Sequence, residues 1–458
     1  MTTLKENEIK TARKLPADPQ MPIWLQTIQG IFQPMDYLEA MRERYGDTFL
    51  LRSIGFPPAV ILSHPQAIQE VFTADQSLFN AATSNKILRP LLGEYSLIQL
   101  DGSSHQHRRK LLMPPFHGER MRAYSQIICD ITQQAIAQWS MGKSFSVRSS
   151  TQEISLRVIL RAVFGIDEGE RFEQLRRLLS SLLDSFNSPL RSSFLLLKFL
   201  QQDLGPWSPW GRFLRQKQQI DALLTAAIRE RQAQPDSSRE DILSLMMSAR
   251  DEQGQPMTET ELRDELMTLL FAGHETTASA LAWALYWIHQ QPEVYETLMT
   301  ELDTLGSELD PTTICRLPYL NAVCCETLRI HPVVLFTFSR MLKSPLEVMG
   351  YQFEAGTLLA PCIYLVHNRE DLYPEPKRFK PERFLERQFS PYEYFPFGGG
   401  NRRCLGYAFA LLEMKLVLVS VLSQVKLALA DNRPVRSIRR GITFTPSGGV
   451  RMVVTGSR

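Results

Sequence analysis

The most regular pattern of apolar and polar positions lies between residues 258 and 290. Thr258 is followed three residues later by Glu261, the pairing in which each side chain caps the other's backbone N–H. Helical periodicity then runs to about Gln290, just before Pro292. A helix of roughly 32 residues, at ~1.5 Å each, is ~48 Å long and crosses a whole domain. Its middle, Leu266 to Ile288, is apolar nearly all round, as in a helix buried in a core. Apolar residues at spacings of three and four predict further helices over Ile127–Trp139 and Phe172–Phe186, and a second apolar helix spans about Gly406 to Ser423. Thr48–Leu51 and Ala59–Leu62 flank the turn-like Gly55-Phe56-Pro57-Pro58 and read as a β-hairpin. Short apolar runs at Leu346–Met349, Thr357–Ala360 and Ile442–Thr445 predict strands late in the chain. The stretch 188–210, with Pro189, Pro206 and Pro209, reads as a connection between helices. The pattern predicts a mainly α fold with a small β region. Residues 1–22 form a polar, proline-rich arm, and strands near both ends make 23–458 a single domain.

Composition narrows the classes. The chain has 458 residues, 51 basic against 49 acidic, so a net charge of +2 gives no bulk attraction to nucleic acid. A membrane span needs roughly 18 or more apolar residues in a row. The nearest run, Leu411 to Leu422, is short and broken by Glu413 and Lys415. The polar N-terminus, MTTLKENEIKTARK, lacks the apolar centre of a signal peptide. A cytoplasmic monomer without a transmembrane segment is expected. The six cysteines form no CxxC pair and no zinc spacing. Five of them read as small buried hydrophobes, and Cys404 does not.

Residues 394–407 read YFPFGGGNRRCLGY. Gly398, Gly399 and Gly400 allow backbone angles closed to other residues and close approach to a flat ligand. Cys404 and Gly406 follow, and then the second apolar helix. Backbone N–H groups of such a loop and the helix N-terminus stabilise a thiolate. In the middle of the long helix stands Ala272-Gly273-His274-Glu275-Thr276-Thr277. A mid-helix glycine costs about 1 kcal/mol relative to alanine, and polar residues inside an apolar helix cost more unless satisfied. Local violations of this kind belong at functional positions. Ala272 and Thr276 share a face. A threonine hydroxyl bonding the carbonyl four residues back bends a helix and opens a groove. His274 reads as a satisfied core residue and not a ligand.

Phe397, Gly400, Arg402, Cys404 and Gly406 fill every defined position of the pattern F-x-x-G-x-R-x-C-x-G. On this segment the chain resembles the cytochrome P450 family. The likeness extends to Ala272–Thr276, which is similar to its A/G-G-x-D/E-T stretch, to Glu326-Thr327-Leu328-Arg329, similar to E-x-x-R, and to Pro381-Glu382-Arg383-Phe384. Residues 367–376, HNREDLYPEP, resemble H-R-D-x-x-x-Y-P-x-P with one residue inserted. Among its members the chain looks most like cyanobacterial fatty-acid and terpene hydroxylases.

The resemblance implies the triangular helical prism of that family around a buried haem b (iron protoporphyrin IX), with Cys404 as iron ligand. It implies that Thr276 and Glu275 deliver protons during O2 activation. His105, Arg109, Arg402 and Arg340 would neutralise the haem propionates, with Phe397, Gly398, Gly406 and Ala272 also against the cofactor. Glu326, Arg329 and Arg383 would form a buried cluster that holds the cysteine loop. By position, Ile87, Leu88, Phe271, Ala272, Val334, Phe336 and Phe444 would line the substrate pocket, with Arg89 a candidate for binding a carboxylate. The implied reaction is hydroxylation of a small apolar substrate, a long-chain fatty acid or a sesquiterpene. Without a flavin domain, a dinucleotide fingerprint or a ferredoxin cysteine run, electrons from NAD(P)H are expected through a separate ferredoxin or flavodoxin and its reductase. Arg402, Arg403 and Lys415 offer a basic surface for such a donor. The rivals are a haem-thiolate isomerase or dehydratase, which needs no external electrons, and a non-enzymatic haem sensor. The intact acid–alcohol pair speaks against both.

Overall fold

The computed structural model describes residues 16 and 18–458, apart from 117, 119, 166–168, 185–200, 235, 237, 238, 240, 307–309 and 432. Most of the N-terminal arm and of the 188–210 connection therefore lies outside the described residues.

The long central helix spans Glu259–Gln290. Thr258 caps it, and both halves of the capping box form: Glu261 N–H donates to Thr258 Oγ1, and Thr258 N–H donates to Glu261 Oε2 at 2.8 Å. Residues from Ala278 to Ile288 are almost all buried, Trp283 among them, because the helix runs through the middle of the core. The helix Val147–Phe164 packs along it. A side chain at Gly273 would place its Cβ 3.0 Å from Ile159 Cδ1, so this glycine allows close helix-to-helix contact. The helices predicted over Ile127–Trp139 and Phe172–Phe186 span Arg120–Ile136 and Glu170–Asp184.

Strands gather into four small sheets. The largest has the order β1-β2-β8-β5-β3, built from β1 (Thr48–Leu51), β2 (Ala59–Leu62), β3 (Phe79–Asn80), β5 (Arg340–Leu342) and β8 (Leu358–Pro361). The β1–β2 hairpin is antiparallel, and β2 pairs with β8 in parallel. A second sheet ties the end of the chain, β12 (Arg451–Ser457), to β4 (Ser144–Ser146) and β9 (Val425–Leu429). β6 (Leu346–Val348) pairs with β7 (Tyr351–Phe353), and β10 (Ser437–Arg440) with β11 (Thr443–Pro446). The last hairpin packs against the central helix.

The cysteine helix spans Tyr407–Gln424, with Gly406 at its N-cap. Among the described residues it is the one helix long and apolar enough to cross a membrane, and two thirds of it is buried inside the fold. Its charged positions Glu413 and Lys415 are buried with it, Lys415 donating to the Cys315 carbonyl at 2.9 Å.

Candidate active site

Between the cysteine loop and the central helix lies a cavity of about 390 Å³. Cys404 forms part of one wall, and Ala272, Gly273, Glu275 and Thr276 form part of the wall contributed by the central helix. The loop that carries Cys404 is closely packed. Gly398 and Gly400 both adopt positive φ, +69° and +61°, as the three-glycine run required. A Cβ on Gly399 would lie 2.2 Å from the Phe72 ring, and one on Gly400 would lie 2.8 Å from the Phe72 carbonyl oxygen. The Cys404 N–H donates to the Phe397 carbonyl at 2.9 Å. The residue is accessible, but to the cavity inside the molecule. Burial pushes its thiol up, while the Gly406 N–H and the charges of Arg109 and Arg403 pull it down. A metal ion held by the sulfur would add to the groups that favour the thiolate.

His105 and Arg109 come from the helix Gly102–Leu112 and line the cavity beside Arg402 of the loop. His105 is buried, its Nδ1 has no hydrogen-bond partner, and burial with the nearby charges of Arg402 and Arg109 takes it down to about 3. It is therefore a neutral imidazole held among cations. Arg402 is anchored by Asp101 at 2.5 Å and by the Leu97 and Leu100 carbonyls. Asp101 in turn accepts the N–H groups of Ala81 and Ala82 at 3.0 and 2.8 Å. A thiol facing a cavity, an orphaned buried imidazole nitrogen and a cationic rim fit a haem, whose iron Cys404 would hold and whose propionates His105, Arg109 and Arg402 would meet. Phe397, Gly398, Gly406 and Ala272 also line the cavity.

Arg340 is placed differently. It does not line the main cavity but a small recess beside it, next to Arg402 and Asp101. It donates to the Val71 carbonyl at 2.6 Å and the Gly399 carbonyl at 3.0 Å, and its guanidinium lies 4.9 Å from the Phe72 ring centre. Its hydrogen bonds are thus spent on fastening the glycine run to the helix Pro65–Thr73 and not on the cavity.

On the central helix, Thr276 Oγ1 donates back to the Ala272 carbonyl at 2.7 Å, and Thr277 does the same to Gly273 at 3.2 Å. His274 is buried with Nδ1 2.7 Å from the Leu270 carbonyl and does not line the cavity. Glu275 is buried in an ion cluster, with one oxygen paired to Arg148 and 3.5 Å from Arg440 Nε. Its other oxygen, Oε2, has no hydrogen-bond partner. No short-range pattern marks Arg148 or Arg440, because both meet Glu275 only through the tertiary fold.

Glu326 and Arg329 on the helix Pro318–Ile330 are wholly buried and paired twice, Nε to Oε2 at 2.6 Å and Nη2 to Oε1 at 2.7 Å. Arg383 Nε reaches Glu326 Oε1 at 3.2 Å. Arg329 also donates to the His367 carbonyl at 2.8 Å, and His367 Nε2 accepts the N–H of Phe395 at 3.1 Å, where the cysteine loop begins. Sequence reasoning gave His367 no role, although it opens the HNREDLYPEP stretch. Burial holds this imidazole down at about 3, so its Nε2 stays an acceptor.

Of the pocket residues, Ile87, Leu88, Phe271, Ala272, Val334 and Phe336 line the cavity. Phe444 does not. It sits in a separate core cluster with Leu335 and Phe336, while its neighbour Thr443 reaches the cavity. Arg89 is turned to Glu94 at the surface, its side chain 52% exposed, and is not part of the lining. The basic docking surface also shrinks. Arg402 and Lys415 are consumed inside, and Arg403, though exposed, also lines the cavity and stacks 3.8 Å over Tyr407.

A mainly helical fold in which a cysteine thiol shares an apolar cavity with a threonine-bearing helix is that of a haem-thiolate enzyme. The model of the cytochrome P450 family matches residues 16–450. This chain belongs to that family, and it is an O2-dependent monooxygenase. A protein of Mycobacterium tuberculosis provisionally named cytochrome P450 135B1 is 38% identical, over 97% of this chain and 92% of its own length. Another from the same organism, provisionally named cytochrome P450 138, is 34% identical over 98% and 99%. Among solved structures, retinoic-acid-bound cyanobacterial CYP120A1 superposes with a TM-score of 0.85 at 28% identity, covering 97% of this chain and all of that one. The haem domain of cytochrome P450DA shares the fold with a TM-score of 0.83 at 22% identity.

Proposed function

We propose that this P450 hydroxylates an apolar, lipid-like substrate, a long-chain fatty acid or a sesquiterpene, with two electrons from NAD(P)H carried by a separate ferredoxin or flavodoxin and its reductase. The observation that carries this reading is the lining of the cavity. Apart from the haem-facing groups and the central helix, Ile87, Leu88, Leu91, Phe271, Val334 and Phe336 dominate its wall. Such a wall binds by removing apolar surface from water, at roughly 25 cal/mol per Å², and so selects a hydrocarbon skeleton. Retinoic acid, held by CYP120A1, is a molecule of this kind.

Bound through Cys404, haem b supplies the O2 activation that places one oxygen atom in a C–H bond and releases the other as water. The protein's part is to hold, to orient and to move protons. Cys404 is kept in place by its bond to Phe397 and by the glycine packing on Phe72. Thr276 presents an O–H that can exchange the Ala272 carbonyl for an acceptor in the cavity. Glu275, fixed by Arg148 and Arg440 with Oε2 unpaired, would resupply that proton. The apolar wall keeps bulk water from the reacting carbon.

The test is reconstitution of the holoprotein with a surrogate ferredoxin and its reductase against a panel of fatty acids and sesquiterpenes. Expected is NAD(P)H consumption that depends on substrate, with a product heavier by one oxygen atom. An isomerised product formed without electron consumption, or no response to any lipid, contradicts the reading.

A further inference from the structure

Five arginines line the cavity: Arg109, Arg402, Arg403, Arg439 and Arg440. Four have a counterpart. Arg402 is paired with Asp101, Arg440 lies at Glu275, and Arg109 and Arg403 bear on Cys404. Arg439 stands apart. It lies on β10, where it is paired across the hairpin with Phe444, and its Nε–H donates to the Gly441 carbonyl at 2.9 Å. That bond occupies one of the five N–H donors of a guanidinium. Among the described residues no carboxylate stands in ion-pair contact with it.

A guanidinium kept in an apolar cavity is costly unless a counter-charge is supplied. Burial alone lowers the pKa of Arg439, and no acid raises it again. The planar fork is the group best shaped to grip a carboxylate with two parallel hydrogen bonds. Gly441, at φ +63°, closes the turn beside it, and the bond from Nε to its carbonyl sets the plane of the fork. The wall that bears Arg439 is the hairpin packed on the central helix. His105, Arg109 and Arg402 belong to a different wall, made by the helix Gly102–Leu112 and the cysteine loop. Arg439 is thus free of the group that those residues would hold.

We infer that Arg439 anchors the carboxylate of an apolar acid, so that the acid end of the substrate is held at the β10–β11 hairpin and its hydrocarbon lies along the apolar wall. The inference rests on the lipid-substrate reading and selects the fatty acid over the sesquiterpene, which has no carboxylate. It replaces Arg89, whose charge is spent on Glu94 at the surface.

The experiment compares binding of dodecanoic acid and dodecan-1-ol to the holoprotein, by calorimetry and by the spectral shift on displacement of water from iron. Arg439→Gln is expected to weaken the acid by about ten- to a hundredfold, as for loss of a charged hydrogen-bonded pair, and to leave the alcohol unchanged. Arg439→Lys should recover part of the loss. Unchanged alcohol binding also shows that the variant is folded. Equal weakening of both ligands, or undiminished acid binding in Arg439→Gln, overturns the anchor. If the unsubstituted protein binds the alcohol but not the acid, the anchor falls and the lipid reading stands. If it binds neither, both fall.

Discussion

Glu326→Ala is expected to destabilise the protein by about 3–5 kcal/mol and to yield material that no longer retains haem. The carboxylate is wholly buried and compensates two arginines, with Arg329 as buried as itself. It also accepts the Lys380 N–H at 2.9 Å. Removing it strands a guanidinium in the core. The damage reaches the site along a short path. Arg329 holds the His367 carbonyl, the His367 ring takes the Phe395 N–H, and the Phe395 ring packs edge-on at 5.6 Å against the Phe72 that fills the space beside Gly399. Thermal unfolding and haem content of the purified variant measure both effects. A variant with unchanged Tm and full haem occupancy would show that the cluster does not carry the loop.

Thr276→Ala should separate electron consumption from product. A positioned proton donor contributes typically about a hundredfold or more, so the rate of hydroxylation is expected to fall by about that factor while electrons continue to be consumed and reduced oxygen species escape. Thr276→Ser, which restores the O–H, should recover much of the yield. The ratio of product to NAD(P)H consumed is the readout. An unchanged ratio in Thr276→Ala would remove the hydroxyl from the proton path.

What could be read from the chain was whatever its chemistry places close together in sequence. The Thr258–Glu261 box and the run to Gln290 specify the central helix locally, and the helix forms over that span. The glycine run, Cys404 and Gly406 lie within a few residues of one another, as do Glu326 and Arg329. What was not legible is where a side chain's partner lies far away in sequence. Arg340 is taken by carbonyls of Val71 and Gly399, Arg402 meets Asp101, and Arg148 and Arg440 converge on Glu275. Phe444 is expected in the pocket by position, but it packs with Leu335 and Phe336 in a separate core cluster while Thr443 reaches the cavity. Gly273 lines the cavity and also leaves room for Ile159, a contact visible only in the fold. Arg439 escaped notice because a cation carries meaning only once the cavity around it is known.

Haem-thiolate chemistry in this protein requires the sulfur of Cys404 to be the iron's protein ligand. The reduced, CO-bound absorption spectrum of the holoprotein tests this most directly, since a thiolate opposite CO moves the Soret band far to the red of its position with imidazole or a neutral ligand. The red-shifted band is predicted for the unsubstituted protein, and its loss for Cys404→Ser. A spectrum without the shift in the unsubstituted protein, or one that survives in Cys404→Ser, would contradict the assignment.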